Sequence, residues 1–297
     1  MLLPNEVINR STLVKIIREQ YEGANSDLVF QPLGEDSWSY RSGSLWISIR
    51  RDLRGHVPAA YETAYRLHQG GNRFVLAPLK GADGRIVRTI DGFPVVVFPW
   101  LQSVPVHGGP SLTPEESEQL LGMLERIHTA PQGGLPVENF SLSFESDLVE
   151  ALDLADQPKR CVGPYSSRLH QLLGKHRKLI DTLRAESRGL ASLCRTDPQP
   201  FGVTHGEPSS PNVLRHEGQL LLADWGGAMW GPPERDLFHV RRTLGLHPDC
   251  RPEFLRFYEV RWILSEITEY SCRFTHTHVG DAEDDAMWMR LLRYLDE

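Results

Sequence analysis

The sequence predicts an α+β protein of two lobes: a small N-terminal lobe built on an antiparallel β-sheet with one helix, and a larger, mainly helical C-terminal lobe that carries a β-hairpin. Two observations predict this class. Short β-like runs separated by Gly, Asp and Ser clusters fill the chain before Trp100, and apolar residues recur at helical spacing after it. We therefore expect the lobes to span residues 1–99 and 100–297, with a hinge at about 98–103.

Four apolar runs and one helix between them predict the N-terminal lobe. The runs are LVFQPL, LWISI, FVLAPL and PVVVFPW. The helix lies between the second and third runs, over residues 58–68, with proline in its first turn and a glycine pair after its end. A further helix is predicted over residues 12–20. The expected order within the sheet lobe is therefore strand, strand, helix, strand, strand.

The C-terminal lobe is predicted from helix signals and one hairpin. Thr113 caps a helix that has proline at its first position and acids in its first turn. VLRHEGQLLLADW predicts a hairpin with its turn at Glu217 and Gly218. The remaining helices are expected over residues 145–195, in two segments around a Gly-Pro turn, 252–270 and 282–296.

Composition limits the partners of the chain. A net charge of -7 disfavours a nucleic-acid binder, which needs a basic stripe. The cysteines are widely spaced without a C-x-x-C pair, so we expect reduced thiols. The first residues, MLLPNEVINRS, lack the basic segment and following apolar run of a signal peptide, and FPVVVFPWL is too short to span a bilayer. We expect a cytoplasmic monomer or homodimer without nucleic-acid or membrane partners.

The chemistry-bearing residues concentrate in one stretch. His205, Gly206 and Glu207 precede Asn212, and Asp224 follows the hairpin. Carboxylate and amide oxygens of this kind suit Mg²⁺ together with substrate phosphates, and Glu207 could orient or deprotonate a hydroxyl. The alternative is that Glu207 and Asp224 are turn residues and that Asn212 caps a bend.

The stretch "HGEPSSPNVL…ADW" resembles the aminoglycoside phosphotransferase and choline kinase-like family, whose two-lobed fold is related to protein kinases. The family pattern is H-G-D, a short loop, N-V-L, a hairpin and then D-W or D-F. The following segment, MWGPPERDL at residues 229–237, looks most like the spectinomycin kinase branch. Here a glutamate replaces the aspartate of H-G-D.

The resemblance implies a role for each residue of the motif. Asn212 and Asp224 would hold Mg²⁺ on the phosphates of ATP or GTP, and Glu207 would take the place of the catalytic aspartate. His205 would brace the catalytic loop, and Asp236 would tie that loop to the following helix. The longer glutamate displaces the carboxylate by about 1 Å, which costs on the order of a hundredfold in rate unless the loop recedes.

The resemblance also implies that the hinge binds the purine through its backbone. The residues concerned are Phe98, Pro99, Trp100 and Leu101. From the sequence alone the same residues are a buried strand end.

The strand LWISIRR departs from the family because it has no lysine for the phosphates. Ser48 and Arg50 face the same way, since side chains alternate along a strand. Either Arg50 replaces the lysine and Ser48 leaves room for the purine, or Ser48 aligns with the lysine and the phosphates lose a cation. Arg50 is favoured, since arginine supplies a permanent charge. Its expected partner is Glu62, for which an exposed pair with Arg66 is the alternative.

A turn over residues 34–39 is expected where a phosphate-covering loop belongs. The backbone N–H groups of Ser37 and Trp38 would approach a phosphate there. The turn has a single glycine, so it is a weak motif.

Together these observations predict a small-molecule kinase that phosphorylates a hydroxyl of an aminoglycoside-like, aminocyclitol or amino-alcohol substrate, with a cationic acceptor as one option. The alternative is a weak or silent nucleotide-binding scaffold, which Glu207 and the missing lysine favour. A protein acceptor is disfavoured because the chain between Asp224 and Asp236 is too short for an activation segment.

Overall fold

The computed structural model describes residues 4, 7–33, 37–51, 53, 55–157, 163–197 and 200–296. They form two compact units, each made of two chain segments. The first unit combines Met1–Glu138 with Pro200–Pro248, and the second combines Asn139–Gln199 with Asp249–Glu297. The predicted functional boundary at the hinge is a different division of the chain and stays a prediction.

The described residues form both helices and strands, as predicted for an α+β protein. The helices are α1 (Arg10–Gln20), α2 (Pro58–Gln69), α3 (Pro114–His128), α4 (Glu145–Ala155), α5 (Ser166–Thr196), α6 (Glu234–Leu244), α7 (Pro252–Thr275) and α8 (Ala282–Asp296). The strands are β1 (Val29–Gln31), β2 (Ser37–Ser42), β3 (Leu45–Arg50), β4 (Val87–Ile90), β5 (Phe93–Pro99), β6 (Val104–Pro105), β7 (Gly202–Thr204), β8 (Val213–His216), β9 (Gln219–Leu222) and β10 (Met229–Gly231). The predicted fold class, an N-terminal antiparallel sheet with a larger helical part, is confirmed.

The N-terminal sheet is antiparallel with strand order β1-β2-β3-β5-β4. Because side chains alternate across the strands, Ile47 and Val95 face α1 and pack with its Leu13 and Ile17. Val96, on the other face, packs against α2. This second face, which carries Ser48 and Arg50 at its centre, is where the nucleotide residues were predicted.

The strand predicted over FVLAPL is wrong. FVLAPL is not a strand: Val75 makes an isolated parallel bridge with Leu222, and Leu79 N–H donates to Val97 O at 2.7 Å. The outer strand is β4, which follows a turn closed by Gly81 and Gly84. Pro78 interrupts the earlier run, and a proline cannot donate to a strand ladder.

The part of the first unit that follows Pro99 contains the predicted helix and hairpin. Thr113 and Glu116 form a capping box at the start of α3. The β8–β9 turn places Glu217 at φ 49° and Gly218 at φ 76°, the pair of positive φ values that a tight two-residue hairpin needs. Helix α6 contains Asp236 and was implied only by the resemblance, without bounds. Gly245, at φ 68°, ends it.

The second unit is helical throughout its described part. Helix α7 packs against α4, α5 and α8, around a core that includes Leu148, Leu169 and Leu264. The predicted break at Gly163 and Pro164 separates α4 from α5. No helix in the described ranges is both long and apolar enough to cross a membrane.

Candidate active site

The catalytic loop, defined here as residues 205–212, begins where β7 ends. Strand β7 pairs with β10 through Thr204 and Met229, so the loop leaves from inside the first unit. Gly206 has φ 104°, and a Cβ there would lie 2.5 Å from the Arg235 guanidinium. Glycine is therefore required at this position.

His205 is 1% exposed and uses both ring nitrogens. Its Nε2 lies 2.8 Å from the Ala223 carbonyl, and its Nδ1 lies 3.2 Å from the Glu207 backbone nitrogen. Since a carbonyl can only accept and an N–H can only donate, His205 carries its proton on Nε2. Burial lowers the pKa of His205. The ring is neutral and joins the catalytic loop to the end of the hairpin.

Asp236 braces the loop from the first turn of α6. It is fully buried and accepts from the backbone N–H of His205 at 3.0 Å and of Gly206 at 2.7 Å. His128, at the end of α3, lies 2.9 Å from the same carboxylate. Burial opposes the charge of Asp236, but the hydrogen bond with His128 and the nearby positive groups hold its pKa below the usual value. Asp236 thus joins the backbone of His205 and Gly206 to the first turn of α6.

His128 and Arg235 were missed by sequence reasoning. Arg235 Nη1 donates to Thr204 Oγ1 at 3.0 Å, and Nη2 donates to Gly227 O at 2.8 Å. It therefore connects the strand before the loop to the segment after Asp224. His128 lies over a hundred residues from Asp236 in sequence, so no local pattern signals their contact.

Glu207 and Asn212 are held in one compact turn. Asn212 Nδ2 donates to the Glu207 carbonyl at 2.9 Å, and Ser209 Oγ donates to Glu207 Oε1 at 3.2 Å. Pro208 is buried. Ser209 and Asn212 thus hold Glu207 within the turn through its carboxylate and its backbone carbonyl.

Asp224 follows the hairpin in a left-handed conformation, with φ 61° and ψ 64°. Such a conformation is uncommon for a non-glycine residue and strained backbone concentrates at functional sites. Its side chain is exposed, while the next residue, Trp225, is fully buried and edge-on to His205 at 4.6 Å. Asn212 O accepts from Ala223 N–H at 2.9 Å, which connects the two proposed metal ligands through the backbone.

Arg50 and Ser48 lie on the sheet face opposite α1, and both are buried. Tyr61 of α2 packs on this face beside Val96. Burial raises the pKa of Tyr61, and the charges of Arg50 and Asp224 act on the same hydroxyl in opposite directions. Ser48 is paired in register with Ser39 and Val96, and Arg50 with Ser37.

Glu62 does not occupy the predicted position beside Arg50. Within the described chain its ion pair is with Lys80, at 3.6 Å, and both side chains are substantially exposed. Successive helix residues are rotated by about 100°, so when Tyr61 faces the sheet Glu62 faces sideways. Nor does the alternative pair form, since Arg66 donates to Thr63 Oγ1 and Gly133 O.

Ser37 and Trp38 lie in a strand instead of a turn. They begin β2 and pair with Arg50 and Ile49 of β3, and the Trp38 ring packs edge-on against Phe93 at 5.7 Å. The sequence analysis missed this strand because it is rich in serine, although the serines alternate with large residues. Residues 34–36 of the predicted phosphate-covering turn lie outside the described residues.

Most of the hinge residues have no backbone N–H group left for a ligand. Phe98 and Pro99 are in register with Trp46 and Leu45, and Trp100 N–H donates to Ser44 O at 2.8 Å. Pro99 has no N–H. Among the described hinge groups, this leaves the N–H of Leu101 for a ligand.

Comparison with known proteins identifies a family and a relative that aligns over the whole chain. Residues 43–271 match a model of the phosphotransferase enzyme family. Protein StrN of Streptomyces griseus is 45% identical over 311 residues, an alignment that covers 100% of this chain and 97% of that protein.

Two solved structures are similar in fold. Spectinomycin phosphotransferase APH(9)-Ia, in complex with ADP and spectinomycin, gives a TM-score of 0.73 at 16% identity, covering 96% of this chain and 93% of the other. A thermostable mutant of aminoglycoside phosphotransferase APH(4)-Ia, in a ternary complex with AMP-PNP and hygromycin B, gives 0.61 at 15% identity, covering 95% and 97%.

Proposed function

The chain belongs to the phosphotransferase enzyme family, and on this premise we propose that it transfers the γ-phosphoryl group of ATP or GTP to a hydroxyl of an aminocyclitol or aminoglycoside. The single observation that carries the proposal is the braced loop, which presents Glu207 and Asn212 beside Asp224. A silent scaffold has no need of this arrangement.

The oxygen donors of the loop fit Mg²⁺. Asn212 commits its amide N–H to the Glu207 carbonyl, which leaves Oδ1 as its ligand atom, and Asp224 offers an exposed carboxylate. Two oxygen ligands from protein, completed by phosphates and water, are typical of Mg²⁺ sites. When bound, the ion would neutralise charge on the transferring phosphates.

Glu207 is proposed to receive the proton of the acceptor hydroxyl. As the acceptor oxygen bonds to the γ-phosphorus, the bond from phosphorus to the nucleoside diphosphate oxygen breaks, and the hydroxyl proton passes to the Glu207 carboxylate. Ser209 donates to Oε1 and helps to orient the carboxylate. The Asp236 brace holds the loop in place during the transfer.

Arg50 and the hinge are proposed to position the nucleotide. Arg50 supplies the cation that the missing lysine would have given, and its planar fork matches phosphate oxygens. Leu101 N–H is proposed to donate to the purine edge, and Ser48, small and buried beside Val96, leaves room for the ring.

The proposed acceptor class is supported by the neighbours' ligands, spectinomycin and hygromycin B. Both belong to structures at low identity to this chain, so the experiment uses a panel. It contains spectinomycin, hygromycin B, streptomycin-type aminoglycosides and amino alcohols, each with Mg²⁺ and either ATP or GTP.

The test measures nucleoside diphosphate release by wild type, Asp224→Asn and Asp27→Asn. Asp27 is exposed and distant in sequence from the loop, so its variant is the matched control. We expect acceptor-dependent release by wild type and Asp27→Asn, and a loss of at least a hundredfold in Asp224→Asn. Nucleotide binding without release above Asp224→Asn for every acceptor would favour the scaffold alternative.

A further inference from the structure

We propose that His107 binds the acceptor: its imidazole, held by Ser210 of the catalytic loop, offers Nε2 to a hydroxyl group of the acceptor. The inference rests on the proposed function and adds a residue to it that sequence reasoning missed. His107 lies in the segment that joins the hinge to α3.

The part of this segment over residues 102–107 runs from the hinge to the catalytic loop. It begins directly after Leu101, whose N–H is proposed to bind the purine. Its strand β6 pairs antiparallel with β8, which begins directly after Asn212. His107 N–H then donates to Ser210 O at 2.9 Å. His107 therefore lies at the end of the segment that is far from the hinge, beside the loop where phosphoryl transfer is proposed.

A tight turn fixes the backbone of His107 and leaves its side chain accessible. Gly109 N–H donates to Val106 O at 3.1 Å, so His107 and Gly108 are the two central residues of a β-turn. Gly108 has φ 74°, the positive value that favours glycine at the third position of such a turn. His107 is exposed. The sequence V-H-G-G thus holds an accessible imidazole at a defined place.

Ser210 holds the imidazole at one of its two nitrogens. His107 Nδ1 lies 3.3 Å from Ser210 Oγ, and Ser210 is itself buried. Ser210 N–H donates to Thr243 Oγ1 at 3.0 Å, and Thr243 Oγ1 donates to His239 O, which ties this anchor to α6. Nε2 of His107 makes no hydrogen bond with the described residues. The ring is therefore held at Nδ1 and available at Nε2.

A hydroxyl of the acceptor fits Nε2 in either tautomer of the ring. When Ser210 Oγ donates to Nδ1, Nε2 carries the hydrogen and donates; when Nδ1 donates to Ser210, Nε2 accepts. A hydroxyl can both donate and accept, whereas an ionised phosphate oxygen only accepts. Aminocyclitols and aminoglycosides carry several hydroxyls, so one can receive the phosphoryl group while another binds His107.

The test compares His107→Asn with His107→Gln. The asparagine amide lies near the position of Nδ1 and can keep the contact with Ser210, while the glutamine amide reaches the position of Nε2. His247→Gln, at an exposed position, is the control. Spectinomycin, hygromycin B and streptomycin are the acceptors, each with Mg²⁺ and ATP or GTP. Steady-state kinetics separate kcat from the acceptor KM, and calorimetry with Mg²⁺ and the nucleoside diphosphate measures acceptor affinity without turnover.

We expect His107→Asn to weaken acceptor binding roughly fivefold, with a matching rise in the acceptor KM, since one hydrogen bond to the acceptor is lost. His107→Gln and His247→Gln should stay within about twofold of wild type, because each keeps or never touched that bond. The nucleotide KM should not change in any variant. Equal losses of acceptor affinity in His107→Asn and His107→Gln, or a rise in the nucleotide KM in place of the acceptor KM, would overturn the inference.

Two further outcomes separate this inference from the proposed function. Wild-type acceptor affinity and turnover in His107→Asn would defeat the inference alone and leave the kinase activity established. A wild-type protein that neither binds nor phosphorylates any of the three acceptors would defeat both.

Discussion

His205 shows how a residue's surroundings decide its chemistry. It is buried beside Trp225 with both ring nitrogens hydrogen-bonded, and its pKa is lowered. In the unfolded chain it takes up a proton below about pH 6.5. The folded protein binds fewer protons there, so the stability that His205 contributes is complete above about pH 6.5 and falls as the pH drops toward its folded pKa.

This predicts a pH-dependent difference between two histidine variants. Wild type should lose stability between pH 7.5 and 5.5, with His205 contributing up to about 1.4 kcal/mol per pH unit. His205→Gln should show a shallower slope, since glutamine does not titrate. His247→Gln, at an exposed position, should keep the wild-type slope. Urea unfolding at several pH values measures how the free energy of unfolding changes with pH. Equal slopes of this free energy against pH in all three proteins would contradict the prediction.

The sequence identified the motif residues and Asp236, but it did not indicate the supporting contacts of His128 and Arg235. His205, Glu207, Asn212 and Asp224 stand in a short ordered pattern, and the family they indicated is confirmed. Tyr61, and not the predicted Glu62, faces the sheet, because the rotation of about 100° per helix residue decides which of two neighbours does so. The roles of all these residues stay predictions until the experiments above are done.

At the scale of elements, two glycines differ in the space around them: one lies in close packing and the other on the exposed surface of a helix. Gly226 lies against His56, and a methyl group cannot fit there. Gly189, inside the long helix α5, has nothing within 4 Å of an added Cβ. The same substitution therefore has opposite consequences at the two sites.

We predict that Gly189→Ala raises the free energy of unfolding by about 1 kcal/mol, because alanine is favoured over glycine inside a helix. Gly226→Ala should lower it by about 1–3 kcal/mol through overpacking and weaken nucleotide binding through the start of α2. Thermal or denaturant unfolding together with calorimetry checks both. Wild-type stability and affinity in Gly226→Ala would show that the contact with His56 yields easily.

The predictions of helices and strands failed where buried positions carry polar or charged residues. Strand β2 contains three serines and an arginine, so its apolar alternation is weak. Helix α6 begins with Glu234, Arg235 and Asp236, all buried, and these charges are typical of an exposed helix start. Elements with clear apolar periodicity or caps, such as α3 and α7, were predicted close to their observed ranges.

At the scale of the whole molecule, all residues proposed to bind the nucleotide and metal belong to the first compact unit. Leu264, fully buried in α7, belongs to the core of the second. Leu264→Ala should lower the free energy of unfolding by about 3 kcal/mol. Nucleotide affinity, measured well below the unfolding midpoint, should stay within twofold of wild type.

Leu193→Ala is the control for this prediction, because Leu193 is 56% exposed on α5 of the same unit. Its effect should stay within about 0.5 kcal/mol. A loss of nucleotide affinity in Leu264→Ala at a temperature where it remains folded would show that the second unit's core supports the nucleotide site.

The alternation of the two units along the chain sets an order of assembly on the ribosome. Met1–Glu138 emerges first, then waits while Asn139–Gln199 is made, at roughly 5–20 residues per second. Asp236 is synthesised 108 residues after its partner His128, so the catalytic loop acquires its brace late. A nascent chain that stops before α6 has Glu207, Asn212 and Asp224 but lacks the Asp236 brace of the loop. Interrupted synthesis should therefore yield fragments without transferase activity.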